Sequence, residues 1–275
     1  MPVKVVSWNI AHRVEPWRVL IDMDADIALL QEAGAPPRDV ASRIGVDPAP
    51  WRTAGARHAP WRTAVVRLSD RVSVEWIEAK PLEEARGGEF AVSLQGTIAA
   101  AIVSAPDVDP FVAVSMYSLW TRLHRFTGSR GIVSDASAHR LVSDLSQFVR
   151  RRNGPHVLAA GDLNILHGHG EHGREYWATR YGTVFDRMEA LGLRFVGPQY
   201  PQGRQADPWP KELPEDSKNV PTYYTVRQGG PAAATRQLDF VFASRGFADS
   251  VSVRAMNEPE QWGPSDHCRV EIEVS

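Results

Sequence analysis

HVLAAGDLNILHGHGEH, residues 156 to 172, passes from an apolar strand into a polar turn. The run Val157-Leu158-Ala159-Ala160 has strand character and stops at Gly161, where Asp162 and Asn164 emerge with one residue between them. Side chains two positions apart point the same way off an extended backbone. Such a pair at a strand end suits holding an attacking or metal-bound water over a substrate. Asp and Asn as plain turn formers fit this stretch equally well when it is taken alone. Recurrence elsewhere in the chain separates the two readings.

The pattern does recur. Lys4 to Ser7 opens a strand that ends near Asn9, and Ile27 to Leu30 ends at Gln31-Glu32, a carboxylate directly after an apolar run. Tyr117 follows the strand Phe111 to Ser115, and Asp239 lies inside the apolar run Gln237 to Ala243. Asp266-His267 precedes Cys268 to Val274, in which Val270, Ile272 and Val274 alternate. Burying that Asp and His without partners would cost at least several kcal/mol, so they are expected to face a common polar site.

Between these strands the sequence predicts a helix over Pro16 to Met23 and a helical turn near 38 to 44 in an otherwise proline-rich loop. Thr63 to Leu68 and Val72 to Ile77 predict a hairpin around Ser69-Asp70-Arg71. Ala91 to Leu94, Thr97 to Ser104 and Phe111 to Ser115 predict neighbouring strands. Ser134 or Asp135 would cap a helix running to about Arg152, with Leu141, Leu145 and Phe148 as its buried stripe and Arg150-Arg151-Arg152 at its end. A further helix over Thr183 to Ala190 stops at Gly192, Leu193 to Val196 returns as a strand, residues 198 to 221 are irregular, and Pro221 to Thr225 is strand-like. Strands dominate, helices fall between them and no linker separates two halves. The expectation is one layered α/β domain over residues 1 to 275.

Two stretches interleave rings and cations. Trp51, Arg52, Arg57, His58, Trp61 and Arg62 read first as aromatic packing beside solvated arginines, with a base-stacking wall as the alternative. From Trp120 to Gly131 there are three arginines, Arg122, Arg125 and Arg130, and no carboxylate, which makes phosphate contact and a solvated loop equally good accounts. His167, His169 and His172 sit in a glycine-rich loop that does not specify the fixed geometry of a zinc site.

Composition bounds the rest. With 43% hydrophobic and 23% charged residues the chain falls in the range of folded enzymes, not of disordered segments. A net charge of -2 removes global attraction to nucleic acid and leaves only a local basic groove. One cysteine, Cys268, excludes an intrachain disulfide framework and a cysteine zinc cluster. The first residues lack the pattern of a secretion signal and no run approaches a membrane span, so a cytoplasmic protein is expected.

Taken together, Ser7-Trp8-Asn9, Leu30-Gln31-Glu32, Tyr117, Gly161-Asp162-Leu163-Asn164, Leu238-Asp239-Phe240-Val241-Phe242 and Ser265-Asp266-His267 resemble, in order and spacing, the endonuclease/exonuclease/phosphatase superfamily of metal-dependent phosphoesterases. The resemblance spans nearly the whole chain. It implies a four-layer α-β-β-α sandwich with two mixed β-sheets packed face to face. It also implies Glu32 as the central metal carboxylate, assisted by Asn9 and Asp266. Asp162 then orients or deprotonates the attacking water, Asn164 contacts the phosphate, and His267 lies near the nonbridging oxygens, oriented by Asp239. Tyr117 matches the repair-type branch, where deoxyribonuclease and sphingomyelinase branches carry histidine. The first motif departs from the pattern: it continues Ile10-Ala11-His12-Arg13, without the acidic residue usual two positions after the asparagine in exonuclease III-like members.

The chemistry suits that assignment. Four carboxylates in one pocket would repel, each close pair by about a few kcal/mol at moderate dielectric, and a divalent cation reverses the sign. Mg2+ fits an oxygen-rich set that retains waters, with Mn2+ as a substitute. The expected activity is phosphodiester hydrolysis by in-line attack of water, on nucleic acid, with Trp120, Arg122, Arg125 and Arg130 as substrate contacts. A small-molecule or lipid-linked phosphoester such as sphingomyelin or an inositol phosphate is the enzymatic alternative. A noncatalytic binding protein of the same fold is disfavoured because every expected catalytic residue is present. No obligate protein partner is implied.

Overall fold

The computed structural model describes residues 1–54, 59–149, 154–225, 227 and 229–275. Strands are numbered along the chain. One six-stranded sheet has the order β13 (Val251–Met256), β14 (Arg269–Val274), β1 (Val3–Asn9), β2 (Ile27–Ala33), β4 (Arg62–Arg67) and β3 (Gly45–Val46). The other has the order β11 (Leu193–Gly197), β12 (Asp239–Ser244), β10 (His156–Asp162), β9 (Val108–Tyr117), β8 (Ile98–Ala105) and β5 (Ser73–Ile77). Each sheet is mixed: β1 runs parallel to β2 and antiparallel to β14, and β10 runs parallel to β9 and antiparallel to β12. A short parallel pair, β6 (Ala79–Pro81) and β7 (Phe90–Val92), stands apart.

The central strands are buried on both faces, which is why they read as unbroken apolar runs. Val5, Ile27 and Leu29 of the first sheet meet Ala113, Leu158, Ala160 and Val241 of the second to form the inner core. On the outer face of the first sheet, α1 (Glu15–Ile21) and α2 (Arg38–Ala41) bring Trp17, Leu20 and Val40 onto Trp8, Leu30 and Val66. On the outer face of the second, α3 (Ile132–Leu145) and α4 (Glu175–Leu191) lay Leu141, Leu145, Val184 and Met188 over Met116, Ala159 and Phe242. The result is the four-layer α-β-β-α sandwich. No helix among the described residues is long and apolar enough to cross a membrane.

Several local expectations change. Residues 63 to 77 do not form a hairpin, because β4 pairs with β2 and β5 pairs with β8 in the opposite sheet. The connecting turn is tied down by Asp26, whose Oδ1 accepts Ser69 Oγ at 2.7 Å and Arg71 Nε at 2.8 Å, so the chain crosses between layers instead of folding back. Residues 91 to 94 contribute to β7, not to a neighbour of β8. The α3 helix starts at Ile132, two residues before Ser134, since Ser134 Oγ donates to Gly131 O and Asp135 pairs with Arg180 instead of capping. It ends at Leu145, ahead of Arg152, where Asp144 accepts from Ser93 N and Gln147 meets the backbone of Ala91. Arg150 to Arg152 lie outside the described residues, as do Arg57 and His58. The α4 helix begins at Glu175, well before Thr183, because its first turns bury Trp177 and Tyr181, aromatic residues that weaken the aliphatic period. The stretch 221 to 225 contributes only isolated bridges at Tyr223.

Candidate active site

Strand register brings the polar residues together. In the second sheet Asp162 is the last residue of β10 and lies directly between Tyr117, the last of β9, and Asp239, the first of β12. In the first sheet Asn9 closes β1 opposite Gln31. A bulge between Leu30 and Ala33 then turns Glu32, at φ 48°, off its regular alternation and toward the second sheet. Side-chain hydrogen bonds stitch the sheets at this end: Asn9 Nδ2 donates to Asp162 Oδ2 at 3.0 Å, Tyr117 OH donates to Glu32 Oε1 at 2.7 Å, and Ser115 Oγ accepts from Gln31 Nε2 and donates to Leu30 O.

Asn164 does not follow strand alternation. Its φ is 49°, and its backbone N–H donates to Asp162 Oδ1 at 2.8 Å while its Nδ2 donates to Oδ2 at 2.9 Å. The pair is therefore held by a turn closed on the Asp162 carboxylate. Gly161 permits this approach: a Cβ there would stand 1.9 Å from Met116 O.

His267 is reached from the chain's last strand. Its Nδ1 lies 2.8 Å from Asp239 Oδ2, its Nε2 lies 3.7 Å from Asp162 Oδ2, and its backbone carbonyl accepts Trp8 Nε1 at 2.9 Å. Ser265 Oγ donates to Asn9 O at 2.7 Å, which fixes the Ser265-Asp266-His267 segment to the end of β1. Thr222 Oγ1 accepts from the N–H groups of Leu238 and Asp239 and so sets the start of β12.

The electrostatics follow from burial. The Asp162 carboxyl is pushed up to about 8 by burial and by Asp239, against the opposing pull of His267. Burial disfavours charge on His267, yet Asp239 and Asp162 outweigh it and raise the imidazole to about 10. Burial alone would raise Glu32, but hydrogen bonds from His12 and Tyr117 hold its carboxyl below the usual value, so it stays ionised. Tyr117 is raised well above its ordinary value by burial and by the carboxylates of Glu32 and Asp162, which keeps it a hydrogen-bond donor.

These groups form one wall of a cleft of about 930 Å³ lined by Asn9, Glu32, Asp162, Asn164, Asp266 and His267. Trp120 and Arg130 also line it, whereas Arg122 and Arg125 are exposed on the same loop and are not among the lining residues. Arg174, Tyr176 and Arg236 line the cleft too, and sequence alone offered no signal for them because they belong to no periodic or clustered pattern. His12 was equally hidden; its Nε2 comes to 2.8 Å from Glu32 Oε2 only because Ala11 and His12 adopt φ of 49° and 59°. The five described non-glycine residues with positive φ are Ala11, His12, Glu32, Asn164 and His172, and every one borders this cleft or contacts Glu32. Strained backbone of this kind gathers at functional sites.

Elsewhere the interleaved stretches serve packing. Arg62 is buried, pairs with Asp47 at 2.8 Å and lies over Trp51 at 4.3 Å, while Trp61 meets Tyr117 edge-on at 5.1 Å. His167 packs on Phe185 and Phe195 at 4.4 and 5.1 Å, away from any shared focus with His172.

For a cation, the cleft offers Glu32, Asp266 and Asn9. Among the described residues no group of three His, Cys, Asp or Glu side chains is placed to hold an ion. An ionised, half-buried carboxylate with a second carboxylate and an amide oxygen on the same wall is a partial oxygen set, one that fits a hard divalent ion completing its shell with water and substrate phosphate.

The fold has counterparts. No curated protein sequence matches the chain. Among solved structures, the catalytic domain of Xenopus laevis APE2 superposes with a TM-score of 0.62 at 20% identity, covering 98% of this chain and 91% of that one. An AP endonuclease from Archaeoglobus fulgidus gives 0.59 at 16% identity, covering 99% of each chain. The endonuclease domain of TRAS1, a telomere-specific non-LTR retrotransposon, gives 0.60 at 15% identity, covering 100% of this chain and 98% of that one. Residues 6–267 match the sequence profile of the Endonuclease/Exonuclease/phosphatase family, so that the strand-end residues converging on Asp162 and Glu32 sit in a chain that belongs to this family.

Proposed function

We propose that the chain is a divalent-metal-dependent phosphodiesterase that hydrolyses nucleic acid by in-line attack of water, with residues 1 to 275 acting as one catalytic unit. One observation carries this reading: Asp162, held by Asn9 and Asn164, lies 3.7 Å from His267 beside an ionised Glu32, all facing one cleft.

Asp162 accepts the proton of the attacking water, its carboxylate plane fixed by the bonds that Asn164 and Asn9 make to its two oxygens. His267, backed by Asp239, donates from Nε2 to a nonbridging phosphate oxygen and carries the positive charge that balances the developing negative one. Both Nδ2 hydrogens of Asn164 are engaged, on Asp162 Oδ2 and on Ser118 O, so Asn164 reaches the same phosphate by releasing one of them, and Tyr117 orients Glu32. A divalent ion held by Glu32, Asn9 and Asp266 would polarise the phosphoryl oxygen and offset charge on the leaving oxygen. Mg2+ suits the oxygen donors, with Mn2+ as a substitute. An added positive charge beside Asp162 also favours its ionised, proton-accepting form.

Nucleic acid is favoured over a smaller phosphoester by the cleft walls, where Trp120 and Tyr176 offer rings and Arg130 and Arg174 offer cations. The AP endonuclease name of the Archaeoglobus fulgidus structure and the endonuclease name of the TRAS1 domain support the same substrate class. Arg122 and Arg125 would contact a strand long enough to run beyond the cleft.

The test is a panel of plasmid, single-stranded DNA, RNA, sphingomyelin, inositol phosphates and a generic diester, each with Mg2+, Mn2+ or a chelator. Metal-dependent cleavage of a nucleic acid is expected. Turnover of another class with none of the nucleic acids would reject the substrate assignment, and unchanged turnover in chelator would reject metal dependence.

A further inference from the structure

The loop between β9 and α3 holds apolar side chains in water. Among the described residues, three exposed large hydrophobic side chains fall close together there: Trp120 at 61%, Leu123 at 61% and Phe126 at 85%. Elsewhere exposed residues of this size stand singly, which is ordinary for a protein surface. Clustered, they mark a surface that meets another molecule.

The loop is also held in one form. Its base is tied to α3, where Leu119 N donates to Ser137 Oγ at 2.9 Å and Thr121 Oγ1 lies 3.1 Å from Ser134 Oγ. Its tip closes on itself: His124 N donates to Ser129 O at 2.7 Å, Gly128 N donates to His124 O at 2.9 Å, and His124 Nδ1 lies 2.9 Å from Thr127 Oγ1. The ring of Phe126 meets neighbours within this tip, His124 at 6.0 Å and the Arg125 guanidinium at 5.6 Å. A surface fixed in this way loses little freedom when it is covered.

The surroundings select the partner. Residues 119 to 131 contain Arg122, Arg125 and Arg130 and no Asp or Glu, and none of these guanidiniums pairs with a carboxylate among the described residues. Trp120 and Arg130 line the same cleft as Asp162 and His267, whereas Leu123 and Phe126 are outside its lining and stand free. An apolar tip among unpaired cations, continuous with a phosphate-handling cleft, suits a polyanion that keeps flat apolar faces between its phosphates. A duplex presents such a stack, and Phe or Leu inserted at a base step unstacks it and bends the helix axis. A free single strand has bases already open to the rings of the cleft and no paired step to part.

We propose that Leu123 and Phe126 form a wedge that enters a base step of double-stranded nucleic acid, so that the cleft receives a duplex bent at this loop. This deepens the nucleic-acid reading and rests on it.

The experiment binds the full chain to DNA and RNA duplexes carrying 2-aminopurine at successive positions, and to the corresponding single strands, in chelator and again in Ca2+ with the strands shown intact by gel. Emission from one or two adjacent positions of a duplex should rise on binding, as unstacking relieves quenching. In Leu123→Ala/Phe126→Ala that rise should vanish and duplex affinity fall about tenfold or more, while single-strand affinity changes less than about threefold. The slope of log affinity against log salt should stay the same, because the arginines remain. Phe126→Leu should restore the emission. Duplex binding with no rise at any position overturns the wedge and leaves the nucleic-acid reading standing, as does unchanged duplex affinity in the double variant. Binding to phosphatidylserine vesicles that the double variant loses, with duplex binding unaffected, assigns the tip to a lipid surface and also overturns it. If the chain neither binds nor cleaves any nucleic acid, the substrate reading falls together with the wedge.

Discussion

Asp162 illustrates how one buried carboxyl is held at the expense of stability. Its carboxyl is buried and pushed up to about 8, whereas in the unfolded chain it titrates near about 4. Between those values the folded chain holds a proton that the unfolded chain has released, so raising the pH through this window weakens folding. Asp162→Asn removes the titration but sets an amide N–H against donors from Asn9 or Asn164, so the pH dependence, not the absolute stability, isolates the carboxyl. In chelator the melting temperature of the unaltered protein should fall relative to that of Asp162→Asn as the pH rises from about 5 to about 8, at about 2–4 °C per kcal/mol for a chain of this size. A constant or reversed difference would show that the carboxyl is not strained by burial. Turnover moves the other way: Asp162→Ala and His267→Ala should each lower kcat by about a thousandfold or more, while circular dichroism stays native. Near-normal rates in both would reject their assigned roles.

At the level of the element, the strand ends position the site and the intervening turns decide its details. Gly161 on β10 is the sharpest case, since an added methyl would run into the backbone carbonyl of Met116, which has nowhere to move inside a paired sheet. Gly161→Ala should destabilise by about 3 kcal/mol or more in urea unfolding, and a loss within about 0.5 kcal/mol would mean that β9 and β10 do not pair as described. On the loop after β9, Arg130 lines the cleft; Arg130→Ala should weaken DNA binding similarly for all sequences and reduce the slope of log affinity against log salt by about one. Arg122→Ala should alter that slope only for substrates long enough to leave the cleft. The sequence shows where these strands are, because a polar residue closing a doubly buried run is visible in one dimension. It does not show that Glu32 sits on a bulge or that Asn164 is left-handed, since the first depends on Tyr117 reaching across from the other sheet and the second on a turn that closes on the Asp162 carboxylate and is anchored at Ser118 O.

In the whole molecule the two sheets share an inner core in which Leu158 and Ala160 of β10 meet Val5 and Leu29 of the first sheet. Removing that contact should affect both layers at once. Leu158→Ala is expected to cost about 3 kcal/mol, and tryptophan fluorescence and far-ultraviolet dichroism should report one coincident transition; separate transitions would reveal two independently folding layers. The layered class is legible from alternating strands and helices without a linker. Which sheet a strand joins is not, as β4 and β5 show: they are consecutive, separated by a short turn, and end in opposite sheets because Asp26 holds the turn from outside. The site is legible as a set of residue types in order, but their meeting point lies between sheets and exists only after both have formed.

The order in which these residues are made has its own consequence. Ribosomal synthesis delivers Glu32 and Asp162 long before Asp239 and His267, and β1 lacks one of its two neighbours until β14 emerges. The Ser265 hydroxyl and the His267 backbone carbonyl that clamp the end of β1 arrive in the same late segment. A partly translated chain therefore has neither its imidazole nor the sheet that would aim its carboxylates, and the cleft is assembled only once the last strand is in place.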